Sequence, residues 1–414
     1  MGTQRDAIEA IRSGINVDIS GGAGRGKSWV IDQIVDDKTV LMAPTGIAAL
    51  NIGGETCHSC IGLPFGIPTQ EDKNKTTRTS VELFGDGKVK RIVIDEKGML
   101  RADHFDLIDH RLRVIKGKDV PFGGLQAVIV GDLWQLPSIV SAAERRFYRR
   151  LYKSPFVFDS NVYKEANFKH IELTKCYRQE NVQQVELLDA IQTKGTGWKE
   201  AVAEINNICR APHDDNTLNL CVFNNDALKV NKIHFDKNNN DVVSYRAEVE
   251  GKFNIKDCLV EPHIELKVGL RVILCANCPD KSYRNGQMGE VVDLFEEHVV
   301  VKLDSGVYVG VTPHKWEATK YKNGIKRLSR SVVGSCVQMP LRQGNAISIH
   351  KSQGLTLDNI VINMGRGAFG AALAYVALSR ARDLSNIALT RPLREDDIIT
   401  SRRVHKFFES LKQQ

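Results

Sequence analysis

Apolar residues recur along this chain at two alternating periods. Gln4 to Ser13 has helical spacing, and Val17-Asp18-Ile19-Ser20 reads as a short buried strand. Trp29 to Val35 starts a second helix, Thr39 to Ala43 a second strand, and Gly46 to Leu50 a third helix. Such alternation predicts a parallel sheet with helices on its faces. The stretch 62–90 breaks the pattern with prolines, glycines and polar residues, and reads as an insertion or a protruding loop. Strands return at 91–94 and 127–130, with helices expected over 102–115 and 142–152. After 171–173 the order changes: helices over 182–192 and 197–209, a strand at 218–222, a helix over 225–237. Residues 243–335 are rich in strands and turns, which predicts a small antiparallel barrel. From Ala346 the α/β pattern resumes, with strands at 360–362 and 387–389.

Between the first strand and second helix lies Gly21-Gly22-Ala23-Gly24-Arg25-Gly26-Lys27-Ser28, which fits G-x-x-x-x-G-K-[ST]. Glycines let successive backbone N–H groups turn inward on a phosphate, and the helix N-terminus adds partial positive charge. Gly22, Gly24 and Gly26 are the expected cradle. Lys27 is expected to neutralise the β- and γ-phosphates of ATP or GTP, and the Ser28 hydroxyl to ligate Mg²⁺. The loop specifies a nucleoside triphosphate, but not what its energy is used for.

Ile92-Val93-Ile94-Asp95-Glu96 is an apolar strand ending in two carboxylates. In a phosphate-loop fold, Asp95 is placed to hold Mg²⁺ and Glu96 to polarise the attacking water, a pairing that favours hydrolysis. Val128-Ile129-Val130-Gly131-Asp132 is a second such strand, and Gln135 just beyond it is a candidate γ-phosphate sensor. Arg178 and Arg380 are each either a γ-phosphate ligand or a surface ion pair. Arg145, Arg146, Arg149 and Arg150 form a basic stripe at helical spacing, which suits either nucleic acid or a solvated face.

Composition narrows the class. The 414 residues, 42% hydrophobic and 26% charged, suit two to four folded domains. No run of 18 apolar residues occurs, so no membrane span is expected. The N-terminus lacks the apolar core of a signal peptide. The net charge of +7 is compatible with nucleic acid without demanding it. Nine cysteines, an odd number, suit free thiols in a reducing compartment, the two Cys-x-x-Cys pairs (Cys57/Cys60 and Cys275/Cys278) included. A cytoplasmic setting in a bacterium or a virus-infected cell is expected, or nucleus or mitochondrion in a eukaryote.

The order of these motifs resembles superfamily 1B helicases, and within them the PIF-type (petite integration frequency) DNA helicases. The resemblance is strongest from Asp95-Glu96 through Met99-Leu100, Asp106 to Asp109 and Pro121 to Gln126, to Gly131-Asp132-Leu133-Trp134-Gln135-Leu136-Pro137. Ala43 to Ala49, Gly53 to Ser59, Ser348 to Gly354 and Tyr375 to Arg382 are similar to further motifs, so that Gln4 to about Leu389 is covered. The resemblance implies two RecA-like domains: 1–61 with 91–170, binding ATP, and 171–242 with 336–414. It makes 62–90 a strand-separating wedge and 243–335 a Src-homology-3-like barrel insertion. It implies that Gln4 reads adenine and that Arg178 and Arg380 are arginine fingers. Thr45, His58, Asn224, His350, Lys351 and Thr356 would lie along single-stranded DNA.

The same resemblance implies a monomeric ATP-driven motor. It would act on single strands and single/double-strand junctions, move 5′-to-3′, and serve replication, recombination or repair. Two departures stand out: Lys97-Gly98 where the family usually has Ile-Ser, and Arg25 where it usually has threonine. The rival readings are a translocase that does not separate strands, a nucleic-acid-binding protein whose ATP site has decayed, and a phosphate-loop kinase. The last leaves two arginine fingers and a second α/β lobe without purpose.

Overall fold

A computed structural model describes the protein except at residues 1, 65, 139, 178–180, 215–216, 254, 256–259, 281, 324–327 and 414. The chain divides into two units. The first comprises residues 1–178, 318–333 and 401–414; the second comprises 179–317 and 334–400.

The first unit is built on six parallel strands: β1 (Val17–Gly21), β2 (Thr39–Ala43), β3 (Glu55–Thr56), β4 (Arg91–Ile94), β5 (Gln126–Gly131) and β6 (Lys169–Leu173). Their order is β3-β2-β4-β5-β1-β6. Its helices are α1 (Gln4–Arg12), α2 (Lys27–Ile34), α3 (Gly46–Asn51), α4 (Cys57–Ile61), α5 (Gln70–Asn74), α6 (Arg78–Phe84), α7 (Ala102–Lys116), α8 (Ala142–Leu151) and α9 (Asn161–Glu165). Side chains alternate across a strand, so the near-continuous apolar runs feed two cores. Val93, Val128 and Val130 pack with Ile8 and Ile11 of α1 and Val30 and Ile31 of α2. Ile92, Ile94, Ala127 and Ile129 pack with α4, α6 and α7 on the other face. β1 is buried throughout, yet it carries Asp18 and Ser20 between its apolar residues.

The expected boundary at 170/171 cuts through β6, which pairs with β1 from Val17↔Lys169 to Gly21↔Leu173 and so belongs to the first sheet. The C-terminal segment, expected with the second domain, groups with the first unit. Its helix Arg402–Leu411 stacks Phe407 on Phe158 (4.2 Å) and Phe408 on Trp134 (5.3 Å), and Arg403 donates to Asp159 (2.7 Å). The segment 62–90 is more than a loop. α5 and α6 start at threonine caps, Thr69 and Thr77, and Leu83, Phe84 and Val89 enter the α7-side core. The Arg111 guanidinium donates to the carbonyls of Ile61 (2.8 Å), Gly62 and Asp72 (both 2.6 Å), tying the segment to α7.

The second unit opens with α10 (Val182–Thr193) and α11 (Trp198–Ile208), then β7 (Leu218–Cys221) and α12 (Asn224–Lys237). Among the described residues ten strands follow along the chain, with the 318–333 part of β15 and β16 grouped with the first unit: β8 (Val243–Arg246), β9 (Glu248–Gly251), β10 (His263–Leu266), β11 (Arg271–Leu274), β12 (Met288–Leu294), β13 (Val299–Leu303), β14 (Tyr308–Val311), β15 (His314–Asn323), β16 (Leu328–Gln338) and β17 (Leu341–Gln343). They make three small sheets, β14-β13-β12-β11-β17, β15-β16-β9 and β10-β8. The chain then returns to β18 (Ala346–Ser348), β19 (Ile360–Asn363), α13 (Leu373–Leu378) and β20 (Ile387–Leu389). These strands and β7 form a parallel sheet, β18-β7-β19-β20.

Candidate functional site

In the first unit β4, β5 and β1 are adjacent and parallel, so their carboxyl ends lie side by side. These ends carry Asp95-Glu96, Asp132 and the phosphate loop, where ligands bind in open α/β sheets. Gly24 (φ +71°) and Gly26 (φ +77°) take the left-handed conformation that lets the loop curl into α2. Lys27 Nζ turns back over the loop and donates to the carbonyls of Gly21 (2.7 Å) and Gly22 (2.8 Å). Ser28 is exposed in the first turn of α2.

Burial pushes the Asp95 carboxyl above its ordinary value, against the Glu96 N–H (2.8 Å from Oδ1) and the charge of Lys27. Burial likewise raises Asp132, which also feels Lys27 and accepts from the Trp134 N–H (2.9 Å). Half-buried Asp95 and buried Asp132 thus lie near one lysine, and a divalent cation would offset the excess negative charge there, leaving Lys27 for a phosphate. Glu96 has φ +51°, a conformation uncommon for a residue with a side chain, at the position expected to orient water. Gln135 is buried and its N–H donates to Asp132 O (3.3 Å).

Gln4 lies over the loop: a Cβ added at Gly26 would stand 1.9 Å from its Nε2. Tyr177 Oη donates to Gln4 Oε1 (3.1 Å), and the Tyr177 N–H donates to Gly24 O (2.8 Å). Arg25 turns away from the phosphate side and donates to the Leu173 carbonyl at the end of β6 (3.2 Å). It therefore ties the loop to the sheet edge. Lys97 is fully buried against Asp18, Ile19 O (3.0 Å) and Ser20 Oγ (2.6 Å) of β1.

Of the residues expected on nucleic acid, the first unit holds Thr45 and His58. The Thr45 hydroxyl caps α3 by accepting from the Ala48 N–H (3.3 Å). His58, on α4, meets His104 edge-to-face (5.4 Å between centroids), and burial pulls its pKa down to about 4. In the second unit, Asn224 and Lys351 line one cavity of about 670 Å³ together with Lys232, Arg342 and Ser348. Lys351 pairs with Glu261 at its rim (3.2 Å). His350 and Thr356 flank the same segment without lining the cavity, and the His350 ring is parallel to Phe369 (6.2 Å).

Arg380 is almost fully buried within the second unit. Its guanidinium donates to Val376 O (3.0 Å), Ser379 Oγ (2.9 Å), Leu355 O (3.4 Å) and Ser352 O (3.5 Å). It is thus no surface ion pair, and it grips the His350–Thr356 segment. Arg178 lies outside the described residues. Asp132, Tyr177 and the Lys97–Asp18 pair were not among the expected site residues. Asp132 had a signal, a carboxylate at an apolar strand end; the partners of Tyr177 and Lys97 are far away in sequence and left none.

The model of the PIF1-like helicase family matches residues 2–199. Pif1 from Bacteroides sp is 32% identical over 99% of this chain and 96% of its own. It superposes with a TM-score of 0.90 in its complex with ADP-AlF4, and of 0.70 when bound to ssDNA. The ATP-dependent DNA helicase Pif1 of Campylobacter jejuni is 27% identical over 93% of this chain and 90% of its own. The ATP-dependent DNA helicase PIF1 of Xenopus laevis is 31% identical over 92% of this chain, which spans 59% of the Xenopus protein. With the phosphate loop, both strand-end carboxylates and Gln135 in place, the chain belongs to the PIF1-like helicase family.

Proposed function

We propose that this chain is an ATP-dependent DNA helicase that moves along single-stranded DNA 5′-to-3′ and opens duplex at single/double-strand junctions, acting as a monomer. The observation that carries the reading is that half-buried Asp95 and buried Asp132, at adjacent strand ends, both feel the charge of Lys27 in the phosphate loop. Lys27 and the loop N–H groups hold the triphosphate, Glu96 draws a proton from the attacking water, and Gln135 senses the γ-phosphate. Arg178 and Arg380 are the arginine fingers. Arg380 also grips the carbonyls of Ser352 and Leu355, in the segment that carries His350, Lys351 and Thr356.

Mg²⁺ fits the donors present. Ser28 offers a hydroxyl and Asp95 a half-buried carboxylate, and this cation characteristically takes few protein ligands and keeps its waters. When bound, it neutralises charge on the β- and γ-phosphates. Thr45, His58, Asn224, His350, Lys351 and Thr356 are the proposed strand contacts. Direction of movement rests on the family resemblance, as does the monomeric state; a reducing compartment rests on the cysteine usage. No helix among the described residues is long and apolar enough to cross a membrane.

The test is unwinding of duplexes with a 5′ or a 3′ single-stranded tail, with Lys27→Ala as control. Unwinding from the 5′ tail alone, lost in the variant, is expected. ATPase activity stimulated by single strands without separation of either duplex makes the protein a translocase. No stimulation overturns the motor.

A further inference from the structure

α8 carries four exposed arginines, Arg145, Arg146, Arg149 and Arg150, in ten residues. At about 100° per residue their side chains leave the helix within an arc of about 140°. Tyr148, which is buried and donates to Asp103 (3.3 Å), leaves the helix about 60° outside that arc and fixes the inward side. None of the four side chains has a hydrogen-bond or ion-pair partner among the described residues. The one acid of the helix, Glu144, is turned away: it accepts from Ser141 (2.6 Å) and Arg101 (3.3 Å). A merely solvated helix usually dilutes such a row with acids at i,i+4, because like charges at that spacing repel. This face concentrates them.

The place of the helix says what the charge meets. Glu144 Oε1 lies where a Cβ at Gly66 would come within 3.3 Å, and Gly66 O is 2.9 Å from His104 Nε2. His104 is the ring against His58. α8 is therefore anchored at the start of the 62–90 segment, beside a proposed strand contact. Exposed Phe147 lies about 60° beyond Arg150 and exposed Leu151 on the side opposite the arginines, so no aromatic ring lies within the arc. Unpaired strands are held by stacking as well as by phosphate contacts. A convex face offering guanidinium groups alone suits a strand whose bases are hidden.

We propose that the arginine face of α8 binds the phosphate backbone of the duplex arm at the junction. The inference rests on the DNA-helicase reading. It is tested with the full chain carrying Arg145→Gln, Arg146→Gln, Arg149→Gln and Arg150→Gln together. Fluorescence anisotropy is read on an oligonucleotide, on the same oligonucleotide extended by a duplex arm, and on blunt duplex, over a range of salt. ATPase stimulated by the single strand is read alongside, and circular dichroism checks the fold.

The expected result is a loss on the order of 10-fold or more on the tailed and blunt duplexes. The log–log salt slope for these should fall by up to about 3.6, near 0.9 per lost phosphate contact. Single-strand affinity and stimulated ATPase should stay unchanged. Equal losses on single strand and tailed duplex overturn the proposal and assign the face to the unpaired strand. Unchanged binding throughout also overturns it, leaving a solvated face or one for an acidic protein. If the parent protein shows no stimulated ATPase, the helicase reading fails, and blunt-duplex binding still decides what α8 does.

Discussion

Lys97 and Asp18 form an ion pair buried from solvent, joining the residue after Glu96 to the strand that runs into the phosphate loop. Tyr163 Oη donates to the second Asp18 oxygen (2.6 Å), and His170 Nδ1 lies 3.3 Å from it. Burial alone would raise the Asp18 carboxyl, but Lys97 and His170 outweigh it and hold it well below the usual carboxylate range. Burial also pulls the Lys97 ammonium down, against the pull of Asp18. Such a pair gains little over an apolar pair, yet breaking it strands a charge. Asp18→Asn alone or Lys97→Met alone should therefore cost about 3–5 kcal/mol. The double substitution should cost less than either single one. Denaturant unfolding of all four proteins measures this, and additive losses would refute the coupling.

His58 gives a pH dependence whose sign is fixed. Burial first, and then the neighbouring His104, lower its pKa from about 6.5 to about 4. Between these values the unfolded chain binds the proton and the folded chain does not. Stability from this residue is thus full above about pH 6.5 and is lost as pH falls toward 4. His104 is lowered in the same direction, mainly by burial. Unfolding midpoints should hold from pH 7 to 8 and drop by pH 5, with a smaller drop in His58→Gln. Near neutral pH the ring is uncharged, so His58→Ala should weaken single-strand binding without changing its salt slope.

Arg380 separates a phosphate role from a packing role. An arginine finger is worth about 10³–10⁵ in rate. Arg380→Ala should lower stimulated ATPase by at least about 10³-fold, and Arg380→Lys should not restore it, since an ammonium lacks the planar five-donor fork that reaches its acceptors and a phosphate together. Single-strand affinity should fall as well, because Ser352 O and Leu355 O lose their donor. Near-normal turnover in Arg380→Ala would leave it a packing residue only.

Much of this could be read from the chain because the phosphate loop, the strand-end carboxylates and the strand spacing are local in sequence. β2 and β4 fall where the apolar runs lie. The C-terminal helix was missed although Val404, Phe407, Phe408 and Leu411 have helical spacing; what hides it is that its partners, Phe158 and Trp134, are remote. The Lys97-Gly98 departure reads as damage in the sequence and as a fitted change in the fold. Lys97 finds Asp18, and a Cβ at position 98 would stand 2.8 Å from Asp132 O. Charge compensation and close backbone approach depend on which strands become neighbours, and one chain does not spell that out.

Gln4 and Tyr177 form a hydrogen-bonded pair at the phosphate loop. The Tyr177 hydroxyl fixes Gln4 Oε1 (3.1 Å), and the Gln4 amide lies over Gly26 at the mouth of the loop. If Gln4 reads the base edge, its loss removes binding that is the same in ground and transition states. KM for ATP then rises while kcat stays. A hydrogen bond of ordinary strength is worth about 1 kcal/mol, so Gln4→Ala should raise KM about 5- to 10-fold and narrow the preference for ATP over GTP. Tyr177→Phe should raise KM less, because the amide keeps its place over Gly26 but can turn. Tyr177 acts only through Gln4, so the double substitution should match Gln4→Ala alone; additive effects would mean that Tyr177 touches the nucleotide itself. Steady-state ATPase with saturating single strand, run with both nucleotides, reads all three variants. A fall in kcat with KM unchanged in Gln4→Ala would move this residue from base recognition to catalysis.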